Sequence, residues 1–208
     1  MSTEEMVPFG KGPLEEHELY ERQAQSNRVL GFWIFLASDC AFFASLFGTY
    51  LALGHNTLGG LGPKQLFDLP LTGVMTIILL TSSLTMVFSF LAMEKGDLRT
   101  MKIWLWVTAL LGLFFLEFQA YEFTHYWASG LHLSTSAFAS SFYVLVGFHG
   151  LHVAFGVFWL LTLLVYSLKD GITPSNTSKV WIAGLYWHFV DVVWVVIFTV
   201  VYIIGKVG

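Results

Sequence analysis

The stretch "LYWHFVDVVWVVIFTVVYIIG", Leu185 to Gly205, decides the fold. It is 21 residues of almost unbroken apolar character, with His188 and Asp191 three positions apart within it. About 20 such residues in a helix cross the hydrocarbon core of a bilayer. Runs of this length exceed the roughly 10-residue strands of a membrane barrel, so a helix is the spanning form. Composition extends that reading to the whole chain. Of 208 residues, 56% are hydrophobic and only 12% charged, against about 25% charged in a soluble domain. Mean hydropathy is +0.69.

Working outward, five stretches have spanning length: Val29–Leu53, Pro70–Met93, Met101–Phe123, Ala137–Leu168 and Lys179–Ile204. Between them lie "GHNTLGGLGPKQLFD", "EKGDLR", "THYWASGLHLSTS" and "KDGITPSNTSK", rich in Gly, Pro and polar residues. The fold class is therefore all-α, a polytopic bundle of five transmembrane helices over residues 29–208, preceded by a polar tail over 1–28. That tail has no signal-peptide core. It is read as partly disordered, with a short surface helix in "PLEEHELYERQ". With five spans, Arg28, Lys95, Arg99, Lys102, Lys169 and Lys179 share a side with the tail, and Lys64 and Lys206 stand opposite. The positive-inside rule then places the N-terminus in the cytoplasm and the C-terminus outside. A single cysteine, Cys40, excludes an intrachain disulfide and a Cys-based metal cluster. The formal net charge of −4 comes largely from the tail and gives no footprint for nucleic acid.

The spans carry Asp39, Glu117, His149, His152, His188 and Asp191, with Glu122 near the outer end of its helix. A carboxylate at mid-membrane costs on the order of 3 kcal/mol on insertion scales, so these groups should face protein or a wet cavity. At a rise of ~1.5 Å per residue, Asp39, His188 and Asp191 fall at ~13–18 Å from the cytoplasmic ends, with His149 and His152 close to the same depth. Glu117 sits higher, at ~24 Å. The expectation is a central polar layer shared by the first, fourth and fifth spans, with Glu117 above it. The i,i+3 spacing of His149/His152 and of His188/Asp191 puts each pair on one helix face. Three chemistries are open to such a set. One is metal ligation, although the bundle sites that use Glu-x-x-His pairs are richer in carboxylates. The second is a proton relay. The third is hydrogen bonding across helices that fixes the packing. In the first span Ala37, Ala41, Ala44 and Gly48 form a stripe of small residues suited to close packing, with Asp39 roughly opposite.

The segments "GFWIFLASDCAFFASLF", "LEFQAYEF", "FYVLVGFHGLHVAFG" and "YWHFVDVVWVVIFTVVY" resemble subunit III of the haem-copper respiratory oxidases, in its short five-helix bacterial form. The likeness runs from about Gly31 to the C-terminus. It implies a non-redox subunit of a proton-pumping terminal oxidase in the bacterial plasma membrane, with no catalytic residue and no metal of its own. The haems and copper would lie in partner subunits. Subunit I would be the main contact, with helices replacing the missing pair of the seven-helix form, and subunits II and IV would belong to the same complex. A cleft holding phospholipid and a part in sustained proton uptake are implied as well. Asp39 matches the family's buried carboxylate, usually Glu, near that cleft or a proton path. Glu117, Glu122, His149, His152, His188 and Asp191 match the family's other polar positions. Cytochrome c is the preferred electron donor and a quinol the alternative. A reading of another class is a free-standing proton-coupled transporter. The absence of repeated halves, and of a Gly/Pro break at the depth of the layer, weighs against it.

Overall fold

The computed structural model describes residues 13–170 and 174–207. Its long elements are α1 (Pro13–Leu53), α3 (Leu69–Glu94), α4 (Leu98–Ala128), α5 (Ala137–Asp170) and α6 (Pro174–Ile197), with a short α2 (Pro63–Leu66) between the first two. A π-helical turn (Phe198–Ile203) and a final α7 (Ile204–Val207) continue α6. Five segments are long and apolar enough to cross a membrane: Ser26–Leu53, Leu69–Glu94, Leu98–Ala128, Ala137–Ser167 and Lys179–Val207. Their number is the five that the sequence predicts.

One expectation changes at the N-terminus. The segment "PLEEHELYERQ" is not a separate surface helix, because α1 runs unbroken from Pro13 through the first span. Residues 1–12 of the expected tail lie outside the described residues.

Local chemistry sets the ends. Asp68 caps α3, accepting from the Leu71 amide at 3.5 Å, and Pro70 stands in the first turn, where its missing N–H costs nothing. Asp97 caps α4 with both oxygens, taking the Thr100 amide at 3.1 Å and the Thr100 hydroxyl at 2.6 Å. Helix α4 stops at Gly130, whose φ of 90° lets the Leu131 amide return to the Tyr126 carbonyl at 3.0 Å. The Ser136 hydroxyl receives the Ala139 amide at 3.1 Å and starts α5.

Helices α3, α4, α5 and α6 pack in a ring, each touching the next and α6 closing on α3, while α1 lies against α5 and α6. Trp187 of α6 joins the four. Its indole rests on Gly112 of α4 and Gly156 of α5, so near that a Cβ on either would come within 3 Å of the ring. Its Nε1 donates to Ser82 Oγ of α3 at 3.0 Å.

Candidate functional site

The expected polar residues separate into three places. Asp39 and His152 meet where α1 crosses α5, with His152 Nε2 at 3.4 Å from Asp39 Oδ2 and both side chains mostly covered. They meet because α1 turns Phe32, Leu36, Phe43 and Tyr50 onto the bundle at helical spacing, and Asp39 shares that face. The aromatic rings of Phe42 and Phe43 flank the imidazole. Nδ1 of His152 lies 2.7 Å from the Phe148 carbonyl, which can only accept, so Nδ1 carries a hydrogen. In a neutral ring Nε2 would then present its lone pair to Asp39. Attraction between the two groups requires one more proton, on the imidazole or on the carboxyl. Asp39 Oδ2 has no hydrogen-bond partner among the described residues, so the two groups are close neighbours at the α1/α5 crossing.

The second place lies between α3 and α6. Ser83 Oγ is 2.7 Å from His188 Nδ1. Asp191, one turn on, is buried, and neither of its carboxyl oxygens has a hydrogen-bond partner in the chain. Along α3 the hydroxyls continue in a row. Ser82 receives Trp187, and Thr76 receives Trp194 Nε1 at 3.0 Å. Thr85 and Thr108 are 2.7 Å apart between α3 and α4.

The third place is at the far end of α4. Glu122 is buried with both oxygens satisfied, Oε1 by the Tyr126 hydroxyl and Oε2 by the Tyr202 hydroxyl, each at 2.8 Å. Tyr202 reaches it from the π-helical turn, and the Phe67 ring packs on both phenols.

His149 joins none of these. It is fully buried, stacked on Trp194 and edge-on to Phe115, with both ring nitrogens unpartnered. The i,i+3 step between His149 and His152 is about 60° of rotation on a helix. That suffices to send the first toward α4 and α6 and the second toward α1. A single connected layer is therefore not what the bundle builds, and no hydrogen bond among the described residues links the Asp39/His152 pair to His188 or Asp191. No group of three His, Cys, Asp or Glu side chains suited to a metal ion forms among the described residues.

Glu117 differs from the expectation too. It is exposed on the outer face of α4, roughly opposite the inward line of Phe115, Gln119 and Glu122. Gln119 takes the inward position and donates Nε2 to the Val146 carbonyl at 2.8 Å. The small-residue stripe of α1 also stays uncovered, because Ala37, Ala41, Ala44 and Gly48 are all exposed and α1 packs through the Asp39 side instead. Reading the sequence missed Gln119, Tyr126, Tyr202 and the hydroxyls of α3. The i,i+3/i+4 spacing within Thr72/Thr76 and within Ser82/Thr85/Ser89, in an apolar span, was the available signal for the last group.

Comparison with known proteins bears on this arrangement directly. The family model described as cytochrome c oxidase subunit III matches residues 19–206. The chain is 51% identical to cytochrome c oxidase subunit 3 of Bacillus sp. strain PS3 over 182 residues, 88% of each chain. It is 45% identical to quinol oxidase subunit 3 of Bacillus subtilis over 190 residues, 90% of this chain and 93% of the relative. Cytochrome bo(3) ubiquinol oxidase subunit 3 of Pseudomonas aeruginosa is 46% identical over 179 residues, 86% of each. With five membrane-crossing helices and these bacterial relatives, the protein is a multi-pass component of the bacterial plasma membrane. The chain belongs to the cytochrome c oxidase subunit III family, and is a subunit III of a haem-copper terminal oxidase.

Proposed function

We propose that this chain is an accessory, non-redox subunit of its oxidase. It packs on subunit I through the open face of α1 and helps keep protons supplied to that partner. The observation that carries the reading is the Asp39/His152 pair, an acid and an imidazole facing each other at 3.4 Å within the membrane-crossing segments, on a helix whose other face is exposed. Haems and copper belong to the partner subunits, and phospholipid is a structural component of the complex. Subunits II and IV complete the complex. The N-terminus is cytoplasmic, in keeping with Arg28, Lys95, Arg99, Lys102 and Lys179 at one end of the bundle.

The open faces support such a partner. Ala37, Ala41, Ala44 and Gly48 allow a neighbouring helix to approach closely. Glu117 stands exposed at membrane depth and calls for a hydrogen-bond donor from outside this chain. His188, His149 and Glu122 serve the bundle itself, through the Ser83 contact, the stacking on Trp194 and the two tyrosine hydroxyls. The donor to the complex is taken to be cytochrome c, supported by the higher identity to the relative of that name than to those named for quinol.

Isolation in mild detergent through a tag on this chain tests the subunit reading. Haem absorption in the isolate, with oxygen uptake driven by reduced cytochrome c and not by a short-chain quinol, is the expected outcome. Uptake with the quinol alone would reverse the donor, and a colourless, inactive isolate would overturn the proposal.

A further inference from the structure

We propose that Asp191 holds a proton inside the bundle and exchanges it with the outside through Ser83 and His188, a relay separate from the Asp39/His152 pair. The Asp191 side chain is buried, and neither carboxyl oxygen has a hydrogen-bond partner among the described residues. An ionised carboxylate without a partner is so costly away from water that the group takes up a proton instead.

The elements packed around Asp191 offer no counter-charge. Lys and Arg stand only near the ends of the spans. Trp187 and Trp194 lie about a turn to either side on α6, and their indoles occupy the hydroxyls of Ser82 and Thr76 on α3. From α4, Phe115 meets Trp194 edge-on. From α5, His149 stacks on Trp194 with both nitrogens unpartnered, so it makes no bond to the carboxyl.

Ser83 of α3 is placed to take the proton onward. Its hydroxyl acts on the Asp191 carboxyl, and its oxygen lies 2.7 Å from His188 Nδ1. A hydroxyl donates one hydrogen while accepting others, and an imidazole carries hydrogen on either nitrogen. Buried Asp and His linked in this way are the parts of proton relays in membranes. His188 supplies the way out, because it is only partly buried and its Nε2 is not enclosed.

Carboxyl and hydroxyl are not hydrogen-bonded at rest, so the carboxyl must turn toward Ser83 for the proton to move. The acid proton then passes to Ser83 Oγ as the Ser83 hydrogen passes to Nδ1. The imidazole, now carrying two hydrogens, releases the one on Nε2 to water at the outer face. That leaves a carboxylate and a neutral ring. A proton taken from water at Nε2 restores the acid by the reverse steps.

The test is infrared spectroscopy of the intact oxidase, purified through this chain and moved from ordinary to heavy water. Subtracting the spectrum of Asp191→Asn isolates the carbonyl stretch of Asp191. The expected result is one protonated-carboxyl band that shifts as deuterium replaces hydrogen. The shift should be several-fold slower in Ser83→Ala and in His188→Phe, each compared with the same variant carrying Asp191→Asn. It should return to the original rate in Ser83→Thr, which keeps the hydroxyl. A carboxylate band in place of the acid would overturn the proposal. So would an acid band that does not exchange, or one that exchanges as fast in Ser83→Ala as in the unaltered protein. The readout is the carboxyl and not oxygen uptake, so failure here leaves the subunit reading untouched.

Discussion

His188 shows how one buried polar side chain was half legible in the sequence. Its depth and its spacing from Asp191 were readable from "WHFVDVVW", but its partner was not, because Ser83 lies 105 positions away on a helix whose rotation only packing fixes. A double-mutant cycle of His188→Ala and Ser83→Ala should give a coupling of about 0.6 kcal/mol, the usual worth of a hydrogen bond between transmembrane helices. Strict additivity in thermal unfolding would remove the contact from the account. Asp97 is the corresponding case at the water-exposed end of a helix. The Thr100 hydroxyl and then the Thr100 amide hold its carboxyl below the ordinary carboxylate range. A carboxylate with a lowered folded value contributes stability above its unfolded value and loses it as pH falls through the lowered one. Amide exchange at Arg99–Met101 should therefore match that of Asp97→Asn at low pH and be slower than it at neutral pH. Equal protection at both would show that the charge of the Asp97 carboxylate adds nothing to the cap.

At the scale of helices, the five spans were legible because a run of about 20 apolar residues has one solution in lipid. Their rotation was much less so. The small-residue stripe of α1 looked like a packing seam, yet the chain packs the Asp39 side and leaves the stripe open. Glu117 and Gln119 are two positions apart, and the bundle turns the amide inward and the acid outward. Apolar residues surround every span, so hydropathy carries little information about which face is inside. The decisive signals are the glycines. Gly112 and Gly156 admit Trp187, and Gly184 admits Phe90 so closely that a Cβ would meet its ring at 2.0 Å. Gly112→Leu should force the indole from its seat and cost about 1–3 kcal/mol, the range for overpacked cores. Leu113→Ala, on the exposed face next to it, should cost far less. Equal losses of unfolding temperature in the two variants would contradict the described packing.

Taken whole, the molecule keeps its interior for itself and leaves two surfaces unfinished, the stripe of α1 and the Glu117 face of α4. A protein that functioned alone in lipid would have little reason to expose a carboxylate at that depth, and a subunit of a larger complex would. The Asp39/His152 pair lies on the opposite, inward face of α1, against α5. The most direct test is the time course of oxygen uptake by the intact oxidase carrying Asp39→Leu. The expected result is an initial rate close to that of the unaltered complex, followed by a several-fold earlier decline. Complete loss of the initial rate would make Asp39 part of the catalytic machinery, and a time course identical to the unaltered enzyme would remove the pair from proton supply altogether.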